Sequence, residues 1–144
     1  MVADIIWTNN PLTPFNHVGI YTKKSQITEA LGNGVCSRKT GKQNEYPFEI
    51  YKVVTKNNGN IRYSEKQRSK VASWALGQVG KKYDTQWWNN KLNTREGNAK
   101  FNCSELVWKS WKFRAGVDLD SNGGNGVYPN DIRSLKRTKF VTKG

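Results

Sequence analysis

The chain has 144 residues and sets 24 Lys and Arg against 11 Asp and Glu, a formal net charge of +13. That is the size of one ordinary domain, 1–144, with a single core. Hydrophobic residues make up only 35% and mean hydropathy is −0.81, yet 12% of the chain is aromatic, including 6 Trp. Aromatics bury large areas, so this composition excludes a disordered chain, and no apolar run reaches the ~18 residues of a membrane span.

In chain order, Asp4 to Trp7 is a short apolar strand ended by the turn cluster Asn9-Asn10-Pro11. His17-Val18-Gly19-Ile20-Tyr21 is the next strand. After the polar stretch Thr22 to Gln26, Ile27 to Leu31 returns as its hairpin partner, closed by Gly32-Asn33-Gly34. Pro47 to Thr55 alternates as a further strand and Lys56 to Asn60 is a loop. Ser64, with Gln67 three residues on, marks a helix start, and Gly80 is read as its stop. Val71, Trp74, Ala75 and Val79 are expected on its buried face. Asn89 to Lys100 reads as a surface loop.

A second helix is expected from Asn102 to just before Gly116, with Cys103, Leu106, Val107 and Trp111 as its apolar stripe. Gly123 to Gly126 is loop, Pro129 opens a short helical turn, and Lys139 to Thr142 is a last strand. Strands first and helices later make this an α+β chain.

Two cysteines and one histidine are too few for a disulfide scaffold or a zinc site of four cysteines. No metal or cofactor is expected. Cys103, directly after the cap residue Asn102, meets unpaired N–H groups and the positive end of the helix dipole, a setting that favours a thiolate. Its alternative is a buried structural cysteine. A nucleophilic cysteine needs a base, and His17 is the only histidine; otherwise His17 is a structural strand residue. Glu29 is placed to orient it, or else to balance nearby lysines. Side chains alternate along strands, so His17 and Glu29 share a face only across an odd-length turn or a bulge. Tyr83 either offers a phenol to an oxyanion or simply packs.

The ordered blocks Ala3-Asp4-Ile5-Ile6, Asn16-His17-Val18-Gly19-Ile20-Tyr21, Ile27-Thr28-Glu29-Ala30-Leu31, Gly80-Lys81-Lys82-Tyr83-Asp84, Phe101-Asn102-Cys103-Ser104-Glu105-Leu106-Val107 and Tyr128-Pro129-Asn130-Asp131-Ile132 resemble a known group. It is the permuted branch of the NlpC-type, papain-like cysteine hydrolases, the YiiX-like group, related to lecithin:retinol acyltransferase. The resemblance implies a circularly permuted papain-like fold, a small antiparallel sheet or barrel against helices. It further implies Cys103 as nucleophile, His17 as base, Glu29 as its orienting partner, and Tyr83, Asn102 and Ser104 on the oxyanion or substrate side. The chemistry implied is acyl transfer from an amide or ester.

The basic surface favours an anionic envelope substrate, peptidoglycan or phospholipid, with steering that weakens as salt rises. A small secreted antibacterial amidase, met by an immunity protein and working as a monomer, is one version of this reading. The rival is a basic module that binds nucleic acid by phosphate contacts and stacking, but no recognition helix or RNA-binding signature accompanies the charge. A Cys36–Cys103 disulfide would mask the nucleophile. The absence of a signal pattern leaves a secreted or envelope-facing location open.

Overall fold

A computed structural model describes residues 2–9, 16–39, 47–89, 91, 100–121, 123–133 and 136–144. Its main feature is a six-stranded sheet of order β4-β3-β2-β1-β5-β8 in which every neighbouring pair is antiparallel. The strands are β1 (Ile5–Thr8), β2 (His17–Lys23), β3 (Gln26–Leu31), β4 (Gly34–Lys39), β5 (Phe48–Val53) and β8 (Thr138–Lys143). Among the described residues three α-helices, α1 (Glu65–Leu76), α2 (Cys103–Ala115) and the short α3 (Pro129–Ile132), complete an α+β fold. A two-stranded parallel pair, β6 (Lys82–Tyr83) and β7 (Lys100–Phe101), lies between α1 and α2 in the chain.

Paired residues share a face, so the register tells which side chains meet. Ile5 opposes Ile20 and Tyr51, and Trp7 opposes Val18. This face packs on Val71 and Ala75 of α1 and on Cys103, Val107, Trp108 and Trp111 of α2. On the other face Ile6 opposes Gly19 and Ile50, Tyr21 opposes Ile27, and Ile6, Tyr21, Ile27 and Ile50 cluster together. With both faces covered, β1 to β3 are buried almost continuously instead of on alternate residues. Burying one such aliphatic or aromatic side chain contributes roughly 1.5–3 kcal/mol, which is how a hydrophobic minority sustains the core.

The helices begin and end where local chemistry directs. Ser64 caps α1 by accepting the Gln67 N–H at 3.2 Å. The helix stops at Leu76, four residues before Gly80: after the last i→i−4 bond, Gly77 N–H to Ser73 O, the chain tightens into i→i−3 turns, Gln78 N–H to Ala75 O and Val79 N–H to Leu76 O. Val79 is therefore off the helix and 46% exposed, against the expectation of a buried position. Gly116, in the left-handed conformation at φ 67°, ends α2 as expected. Cys103, Leu106, Val107 and Trp111 are all buried.

The segment after Gly32-Asn33 is strand β4, paired along its length with β3 from Leu31↔Gly34 to Gln26↔Lys39. Gly32-Asn33 is thus a hairpin turn and not the close of the sheet. The last strand extends one residue beyond Lys139 to Thr142 at each end. Of the stretch expected as a loop from Asn89 to Lys100, positions 90 and 92–99 lie outside the described residues, as do Asn10 and Pro11. Among the described residues no helix is long and apolar enough to cross a membrane.

Candidate active site

Cys103 is the first residue of α2, with Asn102 as N-cap in extended conformation (φ −89°, ψ 175°). The start of this helix is held by a complete capping box. Asn102 Oδ1 accepts the Glu105 N–H at 2.9 Å, and Glu105 Oε1 accepts the Asn102 N–H at 3.3 Å. Glu105 Oε2 takes a second partner, the Lys109 ammonium at 2.6 Å one turn on, and Lys109 Nζ lies 5.7 Å from the centroid of the Phe101 ring. Glu105 and Lys109 are both fully buried. Ser104 donates its hydroxyl to Val127 O and to Asn102 Oδ1. The side chains of Asn102 and Ser104 are thus spent on building the helix start; what this end presents is backbone N–H.

His17 opens β2. Asn16 before it adopts a left-handed conformation (φ 62°), and its amide donates to Asn130 Oδ1, which also accepts the Trp7 indole N–H at 3.0 Å. The His17 ring places Nε2 2.7 Å from Glu29 Oε1 and is electrostatically coupled to Cys103. Burial lowers the affinity of the ring for a proton, but the Cys103 and Glu29 charges more than reverse this and raise the His17 pKa to about 10.

The hairpin geometry explains how residues twelve apart meet. The turn has two residues, Lys24 and Ser25, which alone would put His17 and Glu29 on opposite faces. The register shifts between Tyr21 and Lys23, leaving Thr22 as an extra residue, and this bulge restores a common face. Gly19 lies directly opposite Glu29 on that face. A Cβ at Gly19 would stand 2.9 Å from Ile27 Cγ2 and 3.3 Å from Glu29 Cβ. A side chain at this position would have to displace Ile27 or Glu29.

Glu29 is 2% exposed. Burial pushes its carboxyl up, but His17 and Arg38 outweigh this and hold it below the ordinary carboxylate range. Arg38 of β4 grips the carboxylate at two points, Nε on Oε2 and Nη2 on Oε1 at 3.3 Å. Sequence reading missed Arg38 because it missed β4. Cys36 on the same strand is directly opposite Glu29; burial, and then the Glu29 charge, raise its thiol pKa. Both cysteines are free, so Cys103 is not masked by a disulfide.

Tyr83 reaches this region through backbone pairing. Val35 N–H donates to Lys81 O at 2.8 Å, and β6 pairs with β7 so that Tyr83 lies beside Phe101, two residues before Cys103. Burial, then the charges of Cys103 and Asp84, push its phenol well above the usual tyrosine range, so it stays a protonated donor. The structure thus brings Cys103, His17, Glu29 and Tyr83 into one neighbourhood. Asn130 and Arg38, both absent from the sequence-level set, hold its edges.

No family model matches the chain. It is similar to the protein YycO of Bacillus subtilis (strain 168), 36% identical over 142 residues that cover 96% of this chain and 54% of YycO. The chain therefore spans about half the length of that relative. Among solved structures it is similar to the metalloprotein yiiX from Escherichia coli O157:H7, with a TM-score of 0.69 at 18% identity over 100% of this chain and 97% of the other. The fold is YiiX-like. The E. coli protein is described as a metalloprotein, but among the described residues of this YiiX-like chain no group of three or more His, Cys, Asp and Glu could hold a metal ion. Its one imidazole is already engaged by the Glu29 carboxylate. The described residues do not fit a resident metal.

Proposed function

We propose that this protein is a cysteine hydrolase of permuted papain-like type, acting by acyl transfer on an amide or ester. The observation that carries the reading is the arrangement of Cys103, at the first position of α2, electrostatically coupled to a His17 ring that is itself hydrogen-bonded to the buried Glu29 carboxylate. A nucleophile, a base beside it and a third group that orients the base are the elements this chemistry needs.

In this mechanism the Cys103 thiolate attacks the carbonyl carbon and the carbonyl π electrons move to oxygen. The backbone N–H groups of Cys103 and Ser104 and the Tyr83 hydroxyl donate to that oxyanion. Collapse of the tetrahedral intermediate breaks the bond to the leaving amine or alkoxide, which takes its proton from the His17 imidazolium. The neutral ring then removes a proton from water, whose oxygen attacks the thioester. The acid leaves, and the thiolate–imidazolium pair is restored. Glu29 stays ionised throughout and fixes the ring orientation.

The net charge of +13 supports an anionic envelope substrate, and we take a cell-wall peptide amide as the first candidate. The test is parallel exposure to peptidoglycan fragments and to phospholipids with product mass analysis. Hydrolysis of a peptide amide, seen as products whose masses together exceed the substrate by one water, is the expected result. Products from phospholipid alone would move the reading to a lipid acyl hydrolase. No product from either class would overturn it.

A further inference from the structure

Glu29 is clasped from both sides of its strand. On β2 its direct neighbour is Gly19 and its diagonal neighbour is His17. On β4 its direct neighbour is Cys36 and its diagonal neighbour is Arg38, which pairs with Ile27. The two diagonal residues take different parts of the carboxylate. His17 Nε2 sits on Oε1 at 2.7 Å, while the Arg38 guanidinium spans both oxygens through Nε and Nη2. A two-point grip fixes the plane of a carboxylate in a way that a single contact cannot. Arg38 is 33% exposed and Glu29 only 2%. The carboxylate therefore cannot be oriented by bulk water, and among the described contacts His17 and Arg38 alone orient it.

We propose that Arg38 is a positioning residue for this site, setting the Glu29 carboxylate so that Oε1 faces His17. The role rests on the reading of Cys103 as nucleophile. Arg38 acts through Glu29 and His17 and has no contact with the reacting atoms in this scheme. Without it, the buried carboxylate keeps one partner, rotates about its own axis, and ionises at higher pH because burial then weighs more. The imidazolium loses its fixed acceptor, and the thiolate loses part of the charge that stabilises it.

The test needs no substrate. Iodoacetamide modification of Cys103 and Cys36 is followed separately by peptide mass mapping across pH, for the wild type, Arg38→Ala, Arg38→Gln and Arg38→Lys. Arg38→Ala and Arg38→Gln are expected to slow Cys103 modification at neutral pH by about tenfold, the lower end of what loss of an outer supporting partner costs at other sites. The acid side of the Cys103 curve is expected to move to higher pH, and Arg38→Lys, which keeps the charge, to bring it back. If Arg38→Ala does not fold, Arg38→Gln, which keeps the stem and one donor, gives the answer. Wild-type rates and an unmoved curve in folded Arg38→Gln would overturn the proposal while leaving the nucleophile reading intact. A wild-type Cys103 no faster than Cys36 would overturn that reading, and the Arg38 role with it.

Discussion

Cys103→Ala is expected to abolish turnover, by at least ~10³-fold, while the fold stays intact. The two halves of this expectation have separate causes. In the proposed mechanism the sulfur carries the acyl group, and among the described groups no other thiol or hydroxyl is coupled to the His17 ring. The structural cost is small, because Cys103 is a minor part of a core that also contains Trp108, Trp111, Val71 and Ile20. Losing one sulfur from such a surface costs on the order of 1 kcal/mol. Steady-state rates on a confirmed substrate, with circular dichroism as the check on folding, decide it. Residual activity above a few per cent would assign the chemistry to another group.

Lys109→Met is expected to destabilise the protein by about 3–5 kcal/mol, the usual cost of stranding one member of a buried ion pair. Lys109 is completely buried and its ammonium is 2.6 Å from Glu105 Oε2. Met replaces its stem but not its charge. Burial already raises the Glu105 pKa, with Lys109 as the main opposing influence, so the substitution raises it further. A carboxyl with a raised folded-state pKa contributes stability below its unfolded value and loses it as pH rises through the folded value. The deficit is therefore larger at pH 8 than at pH 5, and urea unfolding at both values measures it. A loss below about 1 kcal/mol at pH 8 would mean that the pair is solvated. The same carboxylate caps α2 at Asn102, so this substitution also loosens the turn that carries Cys103.

Much of this arrangement was legible because the local signals were chemical. Asn102 with Glu105 marked the helix start and put Cys103 at its first position, and Gly116 marked its end. The face-parity of His17 and Glu29 demanded an irregular hairpin, and the extra residue is Thr22. What was missed depended on partners distant in sequence. Gly-Val-Cys-Ser-Arg-Lys, strand β4, lacks a strong alternating pattern and is held by its register with β3 and by Lys81 O. With β4 unseen, Arg38 had no reason to stand out among 24 basic residues. Lys109 looked like an ordinary charged position on a helix, and only tertiary packing buries it against Glu105 and Phe101. Val79 followed the helical period of α1, but the chain had already turned at Gly77.

The proposed chemistry depends on a charge pair between Cys103 and His17, and His17 is the only histidine in the chain, so its ring signals in a proton NMR titration need no assignment. In the wild type the midpoint is expected at about 10. The value is raised above that of an unfolded histidine, so the pairing contributes stability that is complete below about 6.5 and lost as pH rises through the folded value. In Cys103→Ala the thiolate is gone and the midpoint is expected to fall, leaving only Glu29 to oppose burial. A wild-type midpoint near the ordinary histidine value, unchanged in Cys103→Ala, would contradict the pairing on which the proposed chemistry depends.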